Sequence, residues 1–134
     1  MSEEIIEVKA EEIRNSLQKE SENLQNLDKA IAVVNSIAQL EGLVTESLRI
    51  CNSIYDSYLS YKEIELKFHD NKDRRNNMIM MFRESNNILY LIINNFLDKI
   101  DNASDDKSKD RYANLLIQAM SKSENITMGL LKIL

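Results

Sequence analysis

The sequence holds one histidine, His69, with Glu65 four residues before it and Asp73 four residues after it. On a continuous helix that spacing sets all three side chains on one face, a donor set suited to a weakly held divalent cation. A solvated polar helix end with loose ion pairs accounts for the same residues more simply, so no metal ligand is predicted. A carboxylate-bridged di-iron bundle needs two Glu-x-x-His pairs, and a single histidine excludes it. Cys51, the only cysteine, falls between Leu48 and Tyr55 on an apolar stripe. A nucleophilic thiol needs a base or a cation beside it, and the nearest cation, Arg49, points to another side of the helix. Glycine occurs only at positions 42 and 129, so no glycine-rich phosphate loop can form. The stretch from Asp101 to Tyr112 departs from a calcium loop, with Asp106 where glycine is required and no glutamate at its end. These residues predict no catalytic, cofactor-binding or metal site, and the chain reads as a non-enzyme.

Groups suited to making contacts are more abundant. Arg74 and Arg75 stand together where a helix begins, a placement able to grip a phosphate or an acidic partner. Residues 62–83 carry six basic against four acidic side chains, too dilute a charge for a nucleic-acid footprint. Residues 1–30 carry four basic against eight acidic, so the arginine turn is complementary to the acidic N-terminal arm of another copy. Tyr55, Tyr58 and Tyr61 recur every third residue along one side of a helix. Such a row suits a protein interface, although half-buried core gives the same pattern. Asn86 occupies a core position in the most apolar stripe, where a polar residue costs stability but can fix register and partner choice.

The elements that carry these residues are helices. The chain has 134 residues, no proline and two glycines, so the punctuation of strand-and-turn folds is missing. From Ile6 an apolar seam runs through Ala10, Ile13, Leu17, Leu24, Leu27, Ile31, Val34 and Ala38, interrupted only by Glu20. Its mean spacing of about 3.5 residues is that of a coiled-coil stripe, which demands a partner helix. Leu24–Asp28 is a possible turn, yet the seam passes straight through it, leaving open one helix over residues 3–68 or two. The polar run from His69 to Asn77 predicts a helix connection. A wide apolar helix follows over about residues 76–101, led by Ile79, Phe82, Leu89, Ile93, Phe96 and Ile100. Ser104 or Asp105 caps a last helix bearing Tyr112, Leu116, Ala119, Ile126, Leu130 and Ile133, its face widened by Leu131 among others.

The expected fold is therefore an all-α, four-helix up-down bundle with a long N-terminal coiled-coil helix. The alternative is three helices, one of them very long. The expected organisation is a single domain, with residues 1–42 as the coiled-coil-like helix and residues 43–134 as the helical core. The seam over residues 6–38 exceeds what two shorter helices would cover, which predicts self-association as a homodimer.

Function follows from these elements as a helical protein–protein interaction module, an adaptor, regulatory or assembly subunit. Its expected contact surface is Ile6, Ile13, Leu17, Leu24, Tyr55, Tyr58, Tyr61, Arg74 and Arg75, with Asn86 setting register. The alternatives are a small export or assembly chaperone that holds a client helix, or an acidic inhibitor of a nucleic-acid-binding machine. No direct nucleic-acid, membrane or small-molecule partner is expected: the net charge is −5, and the longest apolar run, Ile88 to Ile93, is short. No secretory signal is visible and one cysteine makes no internal disulfide, so a cytoplasmic location is expected.

Overall fold

Four long helices alternate in direction along the chain. The computed structural model describes residues 2–68, 71–103 and 105–133. Helix α1 spans Glu3–Ala32, α2 Ile37–Ile64, α3 Lys72–Ala103 and α4 Asp106–Ile133, and a 3-10 turn, Glu65–Phe68, prolongs α2. Each α-helix starts on a side chain that accepts a backbone N–H left free by the first turn. Ser2 accepts from Ile5 at 3.3 Å, Ser36 from Gln39 at 3.2 Å, Asn71 from Arg74 at 3.1 Å and Asp105 from Ser108 at 2.7 Å. The backbone N–H of Ser108 bonded to Asp105 holds that carboxyl below the usual range. Ser104, the other expected cap, lies outside the described residues.

The structure fixes two boundaries that the sequence leaves loose. The chain does not bend at Leu24–Asp28: Leu24, Leu27 and Ile31 are buried, and each such side chain contributes about 1.5–3 kcal/mol towards holding α1 straight through that polar patch. The break comes at residues 33–36 instead. Ser36 caps α2, while the Gln39 side chain turns back to accept from the Asn35 N–H at 3.1 Å, close to a capping box. This break rules out one helix over residues 3–68 and with it the three-helix alternative. At the other connection, Arg74 to Asn77 belong to α3 because Asn71 caps it earlier than the polar run suggests.

Side-chain links fix the topology. Lys9 meets Glu63 at 3.1 Å and Arg49 meets Glu20 at 3.3 Å, so α1 and α2 are antiparallel neighbours. Asn86 donates to the Ser123 carbonyl at 3.0 Å and to the Thr127 hydroxyl at 2.6 Å, making α3 and α4 a second antiparallel pair. Arg74 pairs with Glu7 near the N-terminal ends of α3 and α1, which therefore lie parallel. Arg111 pairs with Glu41 at 2.9 Å, and Lys122 bonds Asn52, so α2 and α4 are parallel as well. The bundle is two hairpins laid side by side, and the α2–α3 connection crosses its diagonal.

All four helices share one core, from Ile6 and Leu24 through Ile54 and Phe82 to Leu116 and Leu130. Below the diagonal crossing, Tyr61 stands 5.6 Å from Phe82 and 6.4 Å from Phe68 between ring centroids, while Tyr58 meets Phe82 edge-on at 5.7 Å. These aromatics close the end of the bundle at which α1 and α3 begin.

Candidate interaction surfaces

The residues expected to meet a partner mostly meet the chain itself. Ile6, Ile13, Leu17 and Leu24 are buried in the core, where α2 and α3 cover the seam. They are not a free surface, and the seam no longer calls for a second copy. The reason is geometric: a narrow stripe at 3.5-residue spacing serves a helix in a four-helix bundle as well as one in a dimer. Tyr58 and Tyr61 are likewise core residues. Tyr55 remains half-buried, with Lys122 Nζ 5.7 Å from its ring centroid.

Arg74 finds its acidic partner within the chain, pairing with Glu7 while its guanidinium lies 5.7 Å from the Phe68 ring centroid. The complementarity between the arginine turn and the acidic arm is thus met in cis. Arg75 donates through Nη2 to the Ile133 carbonyl at 2.7 Å and ties the end of α4 to the start of α3. Asn86 is buried and fully engaged: besides its two donated bonds, it accepts from the Ser123 hydroxyl at 2.6 Å. A buried amide satisfied on both sides fits only one alignment of α3 on α4.

Cys51 is wholly buried, with Sγ donating to the Ala119 carbonyl at 3.2 Å. Burial pushes its thiol up to about 11, against the opposing charge of Lys122. A buried thiol held protonated in this way packs as a small apolar side chain. Of the histidine trio, His69 lies outside the described residues. Among the described residues no three His, Cys, Asp or Glu side chains gather to hold a metal ion.

One ion pair within the bundle is visible in the sequence only as an irregularity. Glu20, the break in the α1 seam, is 2 % exposed. Arg49 reaches it from α2, and Asn23 donates to it at 2.6 Å. The same guanidinium bonds Glu46 at 2.7 Å, which holds the Glu46 carboxyl below the usual range. A charge set in an apolar seam needs a partner on the facing helix, and that requirement is the signal that points to Arg49.

The two hairpins turn different faces outward. Between α1 and α2 runs a groove of about 490 Å³, lined by polar and charged side chains such as Lys9, Glu12, Ser16, Arg49, Ser53 and Asp56. The α3–α4 side carries Met80, Tyr90, Leu91, Ile117, Met128 and Leu131, six of the twelve exposed large apolar side chains among the described residues; the other six lie within residues 5–66. Ile117 and Met128 are three turns apart on one side of α4, as Met80 and Leu91 are on α3. Leu131, expected to widen the buried face of α4, is 60 % exposed. It lines a small groove of about 160 Å³ on the α3–α4 seam with Arg83, Asn86, Asn87 and Thr127. Among the described residues no ion pair joins α3 to α4.

Among the described residues no helix is long and apolar enough to cross a membrane. Comparisons with protein families, curated proteins and solved structures find no match to this chain.

Proposed function

We propose that the protein is a non-enzymatic helical interaction module, an adaptor or assembly subunit that works by packing helices against another protein chain. The observation that carries this reading is the outer face of α3–α4. Half of the exposed large apolar side chains stand there, on two adjoining helices, beside a groove with polar walls. Methionine and tyrosine, both present, are enriched at protein interfaces, and contiguous apolar patches on a surface mark contact sites. The test is capture by the full chain, with Met128→Glu/Leu131→Glu as the control. The wild type is expected to retain a stoichiometric protein partner, and the double variant to lose it while keeping its helicity and melting temperature. Equal retention by both would overturn the reading.

The first hairpin favours a second reading. Residues 2–68 carry thirteen acidic against seven basic side chains, and Glu3, Glu4 and Glu12 are exposed. An acidic face of this kind can stand in for nucleic-acid phosphate and block a basic target. Reversing those three charges should abolish binding to such a target, and unchanged binding removes this reading.

A further inference from the structure

We propose that the chain covering the α3–α4 face is a second copy of this one, in a twofold homodimer where Arg83 of each copy pairs with Glu124 of the other. The inference rests on the interaction-module reading and names its partner. Three observations converge on it.

The first is charge. Arg83 is exposed at the rim of the α3–α4 groove and makes no ion pair among the described residues. Glu124 is exposed on α4, one turn before Met128, and makes none among the described residues either. The bonds from Asn86 to Ser123 and Thr127 set the register of the two helices. They place Arg83 level with Met128, and Glu124 level with Asn87. A twofold axis lying along the hairpin, in the plane of contact, sets α3 of one copy over α4 of the other. Arg83 then faces Met128 of the second copy, with Glu124 of that copy about 6 Å further along the helix, within reach of an arginine side chain. Symmetry makes the pair twice, as an isologous interface requires.

The second is area. Helix α4 has 28 residues, so it runs for roughly 42 Å. With helix axes about 10 Å apart, two helices present roughly 800 Å² a side, which matches a specific dimer interface. The third is repulsion. Residues 72–133 carry ten basic against eight acidic side chains, whereas residues 2–68 carry seven against thirteen. Two acidic chains therefore approach each other most easily through α3–α4.

The test is the solution mass of the full chain by light scattering over a wide concentration range, with circular dichroism melts on every variant. The wild type should be a dimer. Arg83→Glu and Glu124→Arg should each raise the dissociation constant by about tenfold or more, and combining them should restore it to near the wild-type value. Met128→Glu/Leu131→Glu should be a folded monomer. A wild type that stays monomeric throughout, or a dimer indifferent to all these variants, overturns the proposal. A monomer whose α3–α4 variant still loses a captured partner sinks the dimer and keeps the interaction module. A monomer whose variant loses nothing sinks both.

Discussion

Glu20 interrupts the seam of α1, and Asn86 interrupts the stripe of α3. The first hairpin answers its polar residue with a charge: Arg49, half-exposed at the margin, bridges Glu20 and Glu46. The second answers with a neutral network, in which Asn86, Ser123 and Thr127 satisfy one another inside the bundle. Ionic links also tie α1 to α2 through Lys9 and Glu63, and none ties α3 to α4 among the described residues. A hairpin fastened at its margins holds its helices together partly through charges. One fastened from inside needs no ion pair between its helices, and this is where the second hairpin differs.

Breaking the inner fastening should have the largest effect. Asn86→Ala removes three hydrogen bonds and strands the Ser123 hydroxyl, at a cost of about 3 kcal/mol when each buried unsatisfied group costs about 1–3. The urea midpoint should fall with an unchanged slope, because the chain still exposes the same surface on unfolding. Arg49→Ala leaves the Glu20 carboxylate buried with Asn23 alone. Full burial of an unpaired charge would cost about 3–5 kcal/mol, but Arg49 is half in water, so the expected loss is about 2 kcal/mol. Adding Glu20→Leu should recover it by completing the apolar seam. Salt should weaken the wild type through this link and leave the contribution of Asn86 untouched. Equal salt sensitivity in wild type and Arg49→Ala would contradict the contrast between the hairpins.

The two glycines sharpen it further. A Cβ on Gly129 would lie 1.6 Å from the Tyr58 hydroxyl oxygen, and the ring is packed against Phe82 and cannot swing clear. Overpacking of about 1–3 kcal/mol outweighs the helix propensity gained, so Gly129→Ala should destabilise the seam between the hairpins by about 1–2 kcal/mol. A Cβ on Gly42 meets nothing within 4 Å, so Gly42→Ala should stabilise α2 by about 1 kcal/mol. Thermal melts of the two variants should move in opposite directions.

How much of this was legible in the sequence varies by element. The stripes of α3 and α4, the cap at Asp105 and the core placement of Asn86 follow from periodicity and side-chain chemistry, because wide apolar faces have one way to be buried. The spacing of the α1 seam calls for a partner helix but cannot say whether that helix comes from the same chain. The break at residues 33–36 hid because the seam runs on by accident through Val34 and Ala38. The spacing of Ser36 and Gln39 was the local signal for it. The tyrosine row, open between core and interface, and Leu131, expected to be buried, are ambiguous for one shared reason. Residues near the edge of an apolar stripe turn inward or outward according to which neighbour they face, and that is settled only when the helices pack.

The smallest expected effect lies inside the first hairpin. On α2 the hydroxyls of Ser47, Tyr58 and Tyr61 are buried without hydrogen-bond partners among the described residues, whereas Asn86 and Ser123 in the second hairpin satisfy each other. Burial pushes the Tyr61 hydroxyl up to about 12, the charge of Glu65 adds to the rise, and Arg75 opposes it. An unfolded tyrosine ionises near 10. The folded state therefore holds the proton more tightly, and this contribution is intact below pH 10 and lost as the pH climbs towards 12. Tyr61→Phe keeps the ring against Phe68 and Phe82 and removes both the unpaired hydroxyl and its ionisation. At neutral pH the variant should melt at or slightly above the wild type, and above pH 10 it should lose stability more slowly. Melting curves of the two proteins that stay superimposed through the alkaline range would mean that the hydroxyl reaches water. The inner face of the first hairpin would then be as well satisfied as that of the second.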